Sequence, residues 1–161
     1  MALNEYAYVK QTLADYCHCV DRGTAEDVAA LFTEDAILMP YYDGKYDVHG
    51  REGVLDWYTF YHQKMGETVK NLRHSIDTIS VEMNHERNAA NTVCYLTAHF
   101  TMKADNVAFE ARGTYFDSLV LGEARWLFKT RRIEVQYITR LGDVIESMQP
   151  MGYPAAADKT Q

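Results

Sequence analysis

The sequence is poor in the residues that staple or punctuate a chain: three Pro, three Cys and nine Gly in 161 residues. The cysteines, Cys17, Cys19 and Cys94, are odd in number and two are separated by one residue, so they make no disulfide framework. A reducing compartment, the cytoplasm, is the expectation. Cys17-His18-Cys19 is no metal motif either, because zinc sites space paired cysteines by two to four residues and need two further ligands. No apolar run approaches the roughly 18 residues of a membrane span, and Met1 to Tyr6 lack the basic-then-apolar pattern of an export signal. Positive charge is also short: 16 Lys+Arg face 23 Asp+Glu, a formal net charge of -7. An acidic chain is unsuited to binding a phosphate backbone, which excludes a dedicated nucleic-acid binder. Phosphate-cradling Gly loops, dinucleotide fingerprints and Ser nucleophile elbows are missing as well, so no nucleotide, metal or other cofactor is expected.

What remains is a soluble, single-domain composition with 47% apolar and 24% charged residues. Tyrosine stands out, with 12 copies against six Phe and two Trp. A phenol fills space and offers a hydroxyl to a ligand or a buried partner, so the excess points to an aromatic pocket or a Tyr-rich core.

The apolar pattern changes period partway along the chain. Tyr6, Val9, Leu13, Tyr16, Cys17 and Val20 recur at steps of three and four, one face of a helix with Asn4 as N-cap and Gly23 as stop. Thr24 and Asp27 form a capping pair for a short second helix through Val28, Leu31 and Phe32. Ala36 to Met39 reads as a short strand ended by Pro40. A Tyr, Asp and Gly-rich loop follows to Gly50, then a third helix from Glu52 to Met65. Beyond Lys70 the period is two: long strands are predicted at 72–83, 89–102, 107–121 and 125–140, separated by turn signals. Residues 1–147 form the domain, and 148–161, with Pro150, Gly152 and Pro154, an irregular tail. Helices followed by a meander of long strands describe an α+β domain whose N-terminal helices pack on a strongly curved, mostly antiparallel sheet. Such a cone can enclose one small molecule.

Two groups of residues could carry chemistry in it. Asp21 lies at the C-terminal end of the first helix, where the helix dipole disfavours a carboxylate, so a partner must favour it. A histidine is one candidate, since an Asp–His pair fixes the imidazole tautomer and makes a competent base. His74 opens the first long strand between apolar neighbours, and His99 lies mid-strand on the face of Tyr95, Thr97 and Thr101. His49, His62 and His85 read as solvated and His18 as a surface or rim residue. On the last strand Arg131 and Arg132 point to opposite faces, so one of them faces the cavity and could stabilise a developing anion or a leaving group. Two exposed arginines pairing with surface acids such as Glu134 is the competing reading.

These pieces resemble the SnoaL-like branch of the nuclear-transport-factor-2 superfamily. The likeness rests on Tyr16 to Gly23, Ala30 to Ala36, Gly50 to Val54 and Arg73 to Ile76, then Gly113 to Asp117 and Trp126 to Arg132, and it covers roughly residues 4 to 140. In that superfamily the hexachlorocyclohexane dehydrochlorinases, scytalone dehydratases and bile-acid dehydratases support a His with an Asp at the end of helix one. Asp21 and His74 match those positions. Arg131 corresponds best to the dehydrochlorinase arginine and Tyr16 to the residue five before the Asp. His99 lies near a second histidine of the scytalone enzyme. No single enzyme's full set is matched.

The resemblance implies a cofactor-independent lyase or isomerase acting on a small apolar ring compound. His74 would be the base, Asp21 its support, Arg131 the anion stabiliser and Tyr16 a hydroxyl donor. Tyr41, Tyr42, Trp57, Tyr61, His99 and Tyr115 are the candidate substrate contacts, and Tyr58 and Tyr95 are also expected to border the cone. The alternatives are a non-catalytic ligand-binding or assembly subunit of the ring-hydroxylating dioxygenase small-subunit type, or a polyketide cyclase. A homodimer or homotrimer is expected by resemblance, and the second, partly apolar face of the strands at 89–102 and 107–121 would need covering.

Overall fold

The computed structural model describes residues 4–144. The tail read at 148–161, and the boundary before it, lie outside the described residues. Helix α1 (Glu5–Arg22) starts at Asn4, whose side chain accepts from the Tyr6 N–H, and buries Val9, Leu13, Tyr16, Cys17 and Val20 on one face. Gly23 ends it in extended backbone, so a left-handed conformation is not what requires glycine there. The requirement is steric: a Cβ would meet the Cys19 carbonyl oxygen at 2.8 Å.

Helix α2 (Ala25–Ala29) carries the expected capping box between Thr24 and Asp27. It is shorter than its apolar pattern suggested, because tertiary hydrogen bonds claim the next carbonyls. Phe128 N–H donates to Leu31 O, and the Arg51 guanidinium donates to Phe32 O. Phe32 therefore opens strand β1 (Phe32–Pro40), four residues before the expected start, and a register shift between Phe32 and Ile37 hides Thr33 to Asp35 from the alternation. A two-residue strand β2 (Val48–His49) leads into α3 (Gly50–Thr68), and then come β3 (Val69–Met83), β4 (Ala89–Met102), β5 (Val107–Leu121) and β6 (Trp126–Asp143). The bounds of β4 and β5 are those read from the sequence.

The strand order is β2-β1-β6-β5-β4-β3, antiparallel except for β1 beside β6, in one curved, unclosed sheet. The three helices pack on its concave face, which is the α+β arrangement expected. Curvature has local causes. Register shifts fall at 70/73 and 77/80 in β3, and in β6 opposite 108/109, 112/113 and 118/119 of β5, and each adds twist to a strand. Asn71 and Thr78, at the two shifts of β3, adopt φ of 56° and 49°. At Gly113 the neighbouring backbone comes so close that a Cβ would collide with Glu134 O.

Candidate active site

Reading across the sheet gives the site its coordinates. One cross-strand row is Thr92, Asp117, Arg131 and Leu38; two residues along lie Cys94, Tyr115 and Ile133; two further lie Ile76, Leu96, Gly113 and Val135. The next row is His74, Ala98, Ala111 and Ile138. Its two central members are alanines, so the concave face recedes there while helices α1 and α3 stand opposite. The result is a cavity of about 520 Å³ whose wall includes His74, Ala98, Ala111 and seven tyrosines, Tyr137 among them. Among the described residues His74 is the one lining group besides the phenols that can carry charge; the rest is apolar.

His74 is held from behind. Asp21 Oδ2 accepts the His74 backbone N–H at 2.8 Å and Oδ1 accepts the ring Nδ1–H at 2.5 Å. A carboxylate only accepts, so Nδ1 carries a proton, and in the neutral ring Nε2 presents the lone pair. The two hydrogen bonds also supply the partner that Asp21, in the last turn of α1, requires. His62, expected to be solvated, is half-buried instead. Its Nε2–H donates to Val20 O at 3.0 Å, tying α3 to the unsatisfied end of α1 next to Asp21.

At the opposite, closed end the Tyr16 and Tyr58 hydroxyls share a short hydrogen bond, and both residues line the cavity. Burial pushes the Tyr16 phenol up to about 12 although Arg131 pulls it back, and burial raises Tyr58 and Tyr115 as well. All three are therefore neutral donors at physiological pH. Burial likewise pushes the thiols of Cys17 and Cys94 up, to about 11 and about 12.

Arg131 is the inward member of the arginine pair, and Arg132 lies outward with Glu134 at 3.0 Å. Inward does not mean on the cavity wall. The Arg131 side chain has no solvent exposure and is pinned twice by Asp117, at 2.9 and 3.1 Å, while Asp117 also accepts from Thr92. Its guanidinium carbon lies 3.8 Å from the Tyr16 ring centroid, 4.1 Å from Tyr115 and 4.3 Å from Phe128. Burial works against this charge, but Asp117 more than restores it, so the guanidinium holds its proton more tightly than usual.

Tyr16, Tyr41, Tyr42, Tyr61, His74 and Tyr115 thus reach the cavity, and Asp21 stands directly behind its wall. Three expectations are corrected. His99 faces the other side of the sheet, with its side chain 44% exposed and paired to Glu110 at 2.8 Å. Tyr95 is 54% exposed on that same side. Leu96, Ala98 and Phe100 take the inward positions of β4, so its odd-numbered residues must face outward. Trp57 is a support and not a wall: it stacks on Tyr61 with centroids 5.4 Å apart and donates to the Tyr46 hydroxyl at 2.9 Å. Tyr58, expected to border the cone, does line the cavity, and Asp117 was the residue missed as a site member. The signal for Asp117 was its two-residue step from Tyr115 on a strand otherwise buried on that face. Among the described residues no group of three or more His, Cys, Asp or Glu side chains could hold a metal ion, and no helix is long and apolar enough to cross a membrane.

Known proteins share this architecture. A protein provisionally assigned as a scytalone dehydratase, from Novosphingobium aromaticivorans DSM 12444, superposes with a TM-score of 0.72 at 21% identity, over 92% of this chain and 93% of that one. The hexachlorocyclohexane dehydrochlorinase LinA-type3 from Novosphingobium barchaimii LL02 gives 0.72 at 16% identity, over 89% and 94%. ActVI-ORFA from Streptomyces coelicolor gives 0.69 at 18%, over 82% and 95%. At such identities the likeness is one of fold. No curated protein sequence matches. The family model of the SnoaL-like domain matches residues 1–132, and with the cone-shaped fold and its structural neighbours it follows that the chain belongs to the SnoaL-like family of the nuclear-transport-factor-2-like superfamily.

Proposed function

We propose that this protein is a cofactor-independent lyase or isomerase that removes a proton from a small, largely apolar ring compound. The observation that carries this reading is the Asp21–His74 pair at the wall of an otherwise neutral cavity. His74 Nε2 takes the proton, and Asp21 holds the ring in the required tautomer and balances the imidazolium. The surrounding hydrocarbon and phenol groups lower the local dielectric, which strengthens each electrostatic contact in the site. The electron pair left on carbon moves toward an oxygen or expels a leaving group, giving isomerisation in the first case and elimination in the second. A dehydratase-like protein and a dehydrochlorinase among the structural neighbours both fit the elimination branch.

Arg131 enters this scheme indirectly. Paired with Asp117 through Nε and one terminal nitrogen and enclosed by rings, it acts on the site through the Tyr16 ring it covers. The test is proton exchange: wild-type protein with 2-tetralone in D2O should wash deuterium into the carbon next to the carbonyl, followed by NMR. His74→Ala should lower that rate by about 10²- to 10⁴-fold. Exchange at an unchanged rate in a folded His74→Ala protein would remove the base from the mechanism.

A further inference from the structure

Proton abstraction by His74 makes no direct use of His62, yet His62 stands between the cavity wall and the carboxylate that supports the base. It lies on α3 one turn after Tyr58 and beside Tyr61, with its ring centroid 6.1 Å and 5.8 Å from theirs. Both tyrosines line the cavity. On its other side Nε2–H donates to Val20 O at 3.0 Å, and Val20 directly precedes Asp21 in the last turn of α1. Contacts therefore run without a gap from the Tyr58 and Tyr61 rings through His62, Val20 and Asp21 to His74.

The last four carbonyls of a helix have no partner within it. In α1 the Gly23 N–H takes Cys19 O at 2.9 Å, and His62 takes Val20 O. Two consequences meet at Asp21. The imidazole N–H holds the final turn in helical geometry, and it offsets part of the negative charge of the helix end, which acts against the Asp21 carboxylate. A carbonyl only accepts, so His62 Nε2 carries a proton in the neutral and the cationic ring alike, and the bond holds in either state.

The base has little else to position it. Strand β3 ends the sheet, and the His74 backbone N–H turns to Asp21 instead of to a neighbouring strand. Backbone and ring of His74 thus take their place from one carboxylate, and that carboxylate takes its place from the final turn of α1. A displacement of about 1 Å in such a series can cost about 10²-fold in rate. We propose that His62 is a positioning residue for the base: by donating to Val20 O it fixes the last turn of α1, and through Asp21 the direction in which His74 Nε2 faces the cavity. This rests on the reading of His74 as the base.

Two substitutions separate the donor from the ring. His62→Phe keeps a ring against Tyr58 and Tyr61 and removes the N–H, whereas His62→Gln removes the ring and keeps an N–H at the same distance along the side chain. Deuterium exchange into 2-tetralone, 2-tetralone affinity by calorimetry and the His74 Nδ1–H resonance in proton–nitrogen NMR are measured on each. His62→Phe should lower exchange about ten- to hundredfold with affinity within about twofold of wild type. The Nδ1–H resonance, far downfield in the wild type through its bond to Asp21, should move upfield and broaden. His62→Gln should keep the resonance and hold exchange within about threefold of wild type. Unchanged exchange in His62→Phe, a loss of exchange with the resonance unmoved, or a loss as large in His62→Gln would each overturn the proposal. Should His62→Phe fail to fold, His62→Gln decides alone: rate and resonance kept support the donor role, and either one lost overturns it. Exchange that survives His74→Ala would overturn the base, while the Nδ1–H resonance would still show whether His62 positions the Asp21–His74 pair.

Discussion

Asp21 accepts two hydrogen bonds from a single residue, His74, one from its backbone N–H and one from its imidazole. The first fixes where strand β3 runs against α1, and the second fixes which ring nitrogen carries the proton. Fold position and chemical state at this point share one carboxylate.

Asp21→Asn separates these two contributions. An amide oxygen can still accept one N–H, but the amide NH2 then faces a donor or turns the ring into the other tautomer. Exchange of 2-tetralone protons should fall by about two to four orders of magnitude, with 2-tetralone affinity within a few-fold of wild type. The ratio of turnover to affinity decides it, since a loss of affinity alone would mark Asp21 as structural.

Arg131 and Asp117 are both without solvent exposure, so removing one leaves a buried charge without its partner. Arg131→Met or Asp117→Leu alone should destabilise by about 3–5 kcal/mol, while the double substitution should cost far less than the two together. Urea unfolding of the three variants measures the coupling.

High pH should unfold the protein in a defined direction. In the unfolded chain Tyr16 returns to the ordinary phenol value near 10, while in the fold burial raises it to about 12. A group whose value is raised by folding stabilises fully below its unfolded value and loses that contribution as pH rises through the folded one. Tyr58 and Tyr115 shift in the same direction, as do the thiols of Cys17 and Cys94. Stability should therefore decline between about pH 10 and pH 12. Absorbance of phenolate should show an early exposed group of tyrosines, then a late group that titrates together with loss of circular dichroism.

Ala111 and Ala98 should set the size of the ligand. Ala111→Leu directs a larger side chain into open volume, so folding stability should hold or rise, while 2-tetralone affinity should fall at least about tenfold through exclusion. Thermal unfolding and calorimetry on the same sample separate the two effects. Undiminished affinity would show that ligands do not enter this part of the cavity.

Much of the architecture was legible because local rules and tertiary structure agree. The three- and four-residue steps from Val9 to Val20 and the Thr24–Asp27 box each had one way to be satisfied, and the alternation of β4 and β5 marked where each strand begins and ends. Asp21 was legible as an anomaly, a carboxylate at the wrong end of a helix. Phe32 misled because its apolar character suits a helix face and a strand equally, and hydrogen bonds to Leu31 and Phe32 from distant residues decided between them. His99 misled because alternation divides a strand into two faces without saying which is inside.

The sequence by itself determined the periods, the caps and the family, since these depend on residues a few positions apart or on matched motifs. Only the tertiary structure decided which alternating face turned inward, which arginine was buried and what neutralised it, and that Tyr16 meets Tyr58. These contacts join residues 14 and 42 positions apart, and their geometry follows from strand register and helix packing, which the curvature of the sheet sets.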